Sequence, residues 1–110
     1  MRRMERNVSV IPHNALTVVA EVPTGVKWEI INLAVAADGT NAYEWYIFIL
    51  VGGATYYGLD EITVPAGKFF VNRSYQSVVL EAGDSLVAWP VTAGTADEAM
   101  YTTYVEVFPA

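Results

Sequence analysis

His13 is the only histidine of this chain, and it stands between Pro12 and Asn14 in what reads as a turn. A single imidazole cannot build a multi-histidine metal cage. It leaves Ser-His-Asp chemistry one possible base, and no nucleophile motif surrounds any serine. Carboxylates could form an acid/base pair of the glycosidase kind. However, Asp60 and Glu61 are adjacent and would point to opposite faces of a strand. Asp97-Glu98 falls in a loop, and Glu29 and Glu44 suit the polar side of strands. Asp38-Gly39-Thr40-Asn41 lacks the spaced oxygen ligands of a calcium loop and reads as a hairpin turn. Gly52-Gly53 is followed by neither Gly-Lys-Ser/Thr nor a helix, so it is no phosphate loop. There is no cysteine, which excludes disulfides and thiolate metal sites. These residues predict no enzyme, no metal and no cofactor.

Aromatic side chains are the other candidates. Trp28, Trp45 and Trp89, with Tyr43, Tyr46, Tyr56, Tyr57, Tyr75, Tyr101 and Tyr104, could stack on sugars or anchor a core and an interface. Tyr56-Tyr57, just after Gly52-Gly53, is the best candidate for exposed rings at a loop edge.

Composition favours contacts over chemistry. Of the 110 residues, 54% are hydrophobic and 16% charged, against about 25% charged in a typical soluble domain. A small single domain hides that much apolar surface either in a sandwich with strands apolar on both sides or by oligomerisation and docking. Net charge is −6, and Arg2, Arg3 and Arg6 against Glu5 place a local +2 on residues 1–6, leaving −8 on the rest. An acidic body argues against nucleic-acid binding. The longest apolar run, Tyr46–Val51, is too short to cross a bilayer, and the first ten residues lack the apolar centre of a secretory signal. The expectation is a protein folded in a cytoplasm, on which the sequons Asn7-Val8-Ser9 and Asn72-Arg73-Ser74 are chance matches.

The elements that must position these residues are strands. β-Branched and aromatic runs occupy Val8–Ile11, Ala15–Val22, Val26–Ala36, Ala42–Val51, Thr55–Val64, Phe69–Val71 with Tyr75–Leu80, Ser85–Val91 and Met100–Phe108. Every separator carries Gly, Pro, Asn or Asp. No stretch has sustained helical periodicity. In the last run Tyr101, Thr103, Val105 and Val107 share the face expected in the core. Tyr43–Leu50 is bulky on both faces, as suits a central strand or a subunit interface. The chain reads as a flexible basic arm, residues 1–6, on a single all-β domain, residues 7–110. That domain is an antiparallel β-sandwich of about eight strands, jelly-roll-like, with an immunoglobulin-type sandwich as the rival.

One phrase occurs twice, Val22-Pro23-Thr24-Gly25-Val26-Lys27-Trp28 and Val64-Pro65-Ala66-Gly67-Lys68-Phe69-Phe70, with a looser third turn at Glu81-Ala82-Gly83-Asp84. Pro sets one corner of a tight turn and Gly accepts the positive φ, so these glycines are expected to serve the fold. Val64 to Lys68, followed by Leu80-Glu81-Ala82-Gly83-Asp84, resembles the turns of small virion-associated β-sandwich proteins of tailed bacteriophages. The likeness spans about residues 15–108. It implies a capsid decoration protein or a head- or tail-fibre component, often trimeric.

From this resemblance the expected function is non-enzymatic. The protein is a virion component, assembled in the host cytoplasm, that binds itself and other virion proteins, above all the major capsid protein. The alternative is a carbohydrate- or receptor-binding module of a phage fibre. The expected partner-binding residues are Arg2, Arg3 and Arg6, which could clasp acidic patches, together with Tyr43, Trp45, Tyr56 and Tyr57. A trimer is the favoured oligomer, with no nucleic acid and no membrane partner.

Overall fold

The alternating and doubly apolar runs become strands throughout a computed structural model that describes residues 3–12, 14–37, 40–92 and 98–109. The strands are β1 Arg3–Pro12, β2 Thr17–Glu21, β3 Val26–Ala36, β4 Tyr43–Val51, β5 Thr55–Val64, β6 Phe70–Leu80, β7 Ser85–Val91 and β8 Glu98–Pro109. They pair antiparallel into two four-stranded sheets, ordered β1-β8-β3-β6 and β2-β7-β4-β5. This strand order is that of a jelly roll, and it rules out the immunoglobulin alternative.

Four strands differ from their sequence reading by more than one residue, β8 among them: it spans Glu98–Pro109 where the sequence predicts Met100–Phe108, so Glu98 lies in a strand and not in a loop. β6 is one continuous strand, because Asn72, Arg73 and Ser74 keep their pairing to β3 while a bulge on β6 at residues 75–77, opposite the step from Ile30 to Asn32 of β3, absorbs the irregularity. β2 begins at Thr17 instead of Ala15. β1 reaches back to Arg3, so the expected flexible arm does not hold for Arg3–Arg6. These residues pair with Val107 to Tyr104, giving the edge of β8 a hydrogen-bonding partner. Arg2 lies outside the described residues, as do His13, Asp38, Gly39 and Asp97.

The two copies of the Val-Pro turn occupy equivalent places. One joins β2 to β3 and the other β5 to β6, and both carry the chain from the second sheet to the first. Gly25 and Gly67 both have φ 89°, as such turns require, and Gly83 has φ 90°. The valine of each phrase plugs a different half of the core. Val22 joins Trp28, Ile30, Leu80, Leu86, Val105 and Val107. Val64 joins Leu33, Val35, Tyr43, Trp45, Ile47, Ile62 and Ala88. Burial of Val105 and Val107 agrees with the face predicted for the last strand.

The loops at each end of the sandwich are tied together. At one end Asn14 and Thr92 bond in both directions, Asn14 Nδ2–H donating to the Thr92 carbonyl (3.1 Å) and Thr92 N–H to Asn14 Oδ1 (3.0 Å). At the other end the buried Asp84 accepts from the backbone N–H of Glu81 (2.9 Å) and of Gly52 (3.1 Å), and its own carbonyl accepts from Val22 N–H (2.9 Å). The Gly-Asp of the third turn is therefore a knot between three loops.

Candidate interaction surface

Strand alternation sorts the aromatic candidates. Tyr43, Trp45 and Ile47 of β4 point inward and are fully buried. Tyr43 and Trp45 are thus core residues, and their expected role in partner binding is withdrawn: each fills the space between the sheets and offers no surface. The intervening residues Tyr46, Phe48 and Leu50 point outward from the same strand and stay partly exposed. The sequence shows β4 bulky on both sides, as suits a central strand or a subunit interface; the sheet order makes it an inner strand, and the expected partner-binding role fell on the inward set.

The outward set continues across the sheet. Trp89 of β7 is the register partner of Tyr46, and their rings lie 5.4 Å apart at 41°. Val87 is paired with both Phe48 and Val18, so one apolar row crosses β2, β7 and β4. On β5, Gly58 stands opposite Phe48 and has no side chain to cover it. Tyr56 instead meets Phe48 edge-on, ring centroids 6.2 Å apart. Trp89 is 39% exposed and Val18 53%. Charge appears at the margins: towards β5, where Thr63 donates to Glu44 (2.8 Å) and Glu61 stands opposite Tyr46, and on β2, where the exposed Glu21 stands opposite Ser85. The result is an aromatic and aliphatic face with an acidic rim.

Tyr56 and Tyr57 are both exposed, as expected. They are neighbours on a strand and point to opposite sides, so they do not form one stacking platform.

A second apolar feature sits at the β5–β6 corner. Phe69 is 67% exposed and Phe70 65%. In the first copy of the phrase the matching Trp28 is buried, because the alternation of β3 turns that position towards the core. β6 is an edge strand, and Val71 takes the inward place. The sequence reading did not single out Phe69 and Phe70, although two aromatics directly after Gly67-Lys68 were the available signal.

Among the described residues the polar groups do not converge on a reaction centre. Asp60 closes the seam between edge strands β5 and β6, accepting from Tyr75 Oη–H (2.6 Å) with Arg73 Nε at 3.7 Å. Arg3 lies 3.6 Å from Glu5 along β1. Glu29 and Glu106 are register partners, yet no third ligand joins them. Among the described residues no group of three His, Cys, Asp or Glu side chains could hold a metal, and no helix is long and apolar enough to cross a membrane.

No protein-family model matches this chain, and no curated protein matches it in sequence. Solved structures do resemble it in fold. A subunit of the Bacillus endospore appendages, described as a novel family of disulfide-linked pili, is 12% identical over 99% of this chain and 90% of its own, with a TM-score of 0.54. Eiger TNF from S. frugiperda is 12% identical over 99% and 92%, with a TM-score of 0.48. RmlC from Streptococcus suis, solved in complex with dTDP-D-xylose, is 16% identical over 98% of this chain and 46% of that one, with a TM-score of 0.42. The likeness to the pilus subunit shows a shared β-sandwich fold.

Proposed function

We propose that this protein is a non-enzymatic structural subunit that associates with its own copies and docks on a larger protein particle. The phage-type turns at Val64–Lys68 and Leu80–Asp84 make a virion the favoured particle, with the outer surface of its capsid as the docking partner. The observation that carries this reading is the corner pair Phe69 and Phe70, two consecutive large rings that the fold leaves about two-thirds in water, 67% and 65% exposed. Surface residues of that kind are the usual anchors of protein contacts. The scattered carboxylates and the low charge content support binding over catalysis. The β-sandwich likeness to a pilus subunit is compatible with assembly, but without cysteine this chain cannot use a disulfide to join its copies.

The basic end of β1 is a weaker contributor. Arg3 is engaged with Glu5 and Arg3–Arg6 belong to a paired strand, so clasping by a free arm no longer motivates the docking.

The test is co-sedimentation with undecorated capsids. Wild type is expected to bind, and the double variant Phe69→Ser/Phe70→Ser to lose at least tenfold in affinity while keeping its melting temperature within a few degrees. Specific retention on a glycan array, with no binding to any capsid, would favour the fibre-type alternative.

A further inference from the structure

From the geometry of the β2-β7-β4-β5 sheet we infer that its outer face is covered by a second copy of this chain. The inference rests on the self-association proposed above and locates it. The face is built from Val18, Tyr46, Phe48, Leu50, Tyr56 and Trp89, contributed by all four strands.

Its size suits a stable contact. Four strands about 4.8 Å apart, read along Glu44–Leu50 at about 3.3 Å per residue, outline roughly 450 Å². Side-chain relief adds to this footprint, so two copies in contact bury on the order of 1000 Å² or more, the size expected of a specific interface. Its pattern suits one as well. Trp89, Phe48 and Val18 form an apolar band across β4, β7 and β2, while Glu44 and Glu61 towards the β5 margin and Glu21 on β2 would remain in a polar, wetted rim.

The contact must be carried by the apolar centre, since the face holds no cation and its carboxylates stand at the margins. None of the described cationic residues stands on these four strands. Arg3 and Arg6 are on β1, Lys27 on β3, Arg73 on β6, and Lys68 in the β5–β6 turn. The face therefore has nothing to pair with an acidic partner, and for a basic one only three carboxylates at its margins, Glu44 and Glu61 towards β5 and Glu21 on β2. An apolar centre that needs no charge complement fits another copy of itself. Self-contact of this type closes into a cyclic oligomer and stops there.

Sedimentation velocity at micromolar concentration tests this with wild type and three surface variants. Trp89→Glu and Val18→Lys place charges on the face. Val79→Lys places one on exposed β6 of the other sheet and serves as control. Wild type and V79K are expected to sediment as the same closed oligomer. W89E and V18K are expected to weaken it by on the order of 30-fold or more, the loss typical of an interface anchor. Near-UV circular dichroism checks that each variant is folded, and V18K, on an edge strand, covers the case in which W89E does not fold. Wild type supplies an independent readout. Trp28 and Trp45 are buried, so acrylamide quenching reports Trp89, and it should fall as the concentration rises through assembly.

An oligomer that survives both W89E and V18K overturns the assignment of this face while leaving self-association intact. So does equal disruption by V79K. A wild type that stays monomeric at every concentration overturns both, whereas capsid docking is read separately by co-sedimentation. A monomeric wild type whose capsid binding W89E abolishes would give the face to the particle instead of a second copy.

Discussion

The carboxylate of Asp84 holds the backbone N–H of Gly52 at 3.1 Å although the two residues are 32 positions apart. Its second oxygen takes the Glu81 N–H at 2.9 Å, and the Asp84 carbonyl takes that of Val22. One small acidic residue thereby ties the β2–β3, β4–β5 and β6–β7 connections into one end of the sandwich. It supplies acceptors for amides that sheet pairing leaves over.

Removing that carboxylate is the sharpest test of the knot. Asp84→Ala deletes two charge-assisted bonds and leaves their donors without a protein partner, an expected loss of about 2–3 kcal/mol. For a domain of this length that is a fall in melting temperature of roughly 10 °C. Asp84→Asn keeps one oxygen acceptor and should lose about half as much. Urea unfolding of both variants checks the order.

Gly67 separates backbone strain from crowding. Its φ is 89°, yet nothing lies within 4 Å of where a Cβ would stand. Gly67→Ala is therefore expected to cost about 1–2 kcal/mol through φ alone. Gly58 has equally open surroundings without a left-handed φ. Gly58→Ala should be neutral or stabilising. Equal melting shifts for the two variants would contradict this account.

Asn14 combines both effects at the opposite end. It sits at φ 57° and exchanges two hydrogen bonds with Thr92. Asn14→Gly keeps the conformation and loses the side-chain bonds, at an expected cost of about 1–2 kcal/mol. Asn14→Ala loses the bonds and adds the positive-φ penalty, about 1 kcal/mol more. Thermal melts of the pair read that difference directly.

At the β5–β6 seam, Tyr75 and Arg73 both reach Asp60 but should count unequally. Tyr75→Phe removes a 2.6 Å bond from a part-buried hydroxyl to a carboxylate, an expected loss of about 1–2 kcal/mol. Arg73→Ala removes a 3.7 Å contact from an arginine whose side chain is 46% exposed, and solvent screening should hold the loss below about 1 kcal/mol. A larger loss at Arg73 than at Tyr75 would reverse the assignment of the seam to the hydrogen bond.

Strand identity, the turn glycines and the all-β class were legible in the sequence, because each depends on chemistry within a few residues. Valine, isoleucine and aromatics suit the pleat, and Pro and Gly set φ locally. β3, β4, β5 and β7 fall where their residues predict, with Ala42 the single residue outside. What distant segments decide could not be read this way. Trp28 and Phe70 occupy matching places in a repeated phrase, yet one is core and the other surface, because β3 turns Trp28 towards the opposite sheet whereas β6 turns Val71 inward and so points Phe70 outward. The same holds for Arg3–Arg6, which resemble a loose arm until β8 supplies an edge to pair with, and for Asp84, whose partner amides come from separate loops. On β4 the sequence showed that both faces are apolar. Only the packing of one sheet on the other determined that Tyr43 and Trp45 face the core while Tyr46 and Phe48 face outward. Period-two alternation defines two faces but is symmetric between them, and the second sheet breaks that symmetry.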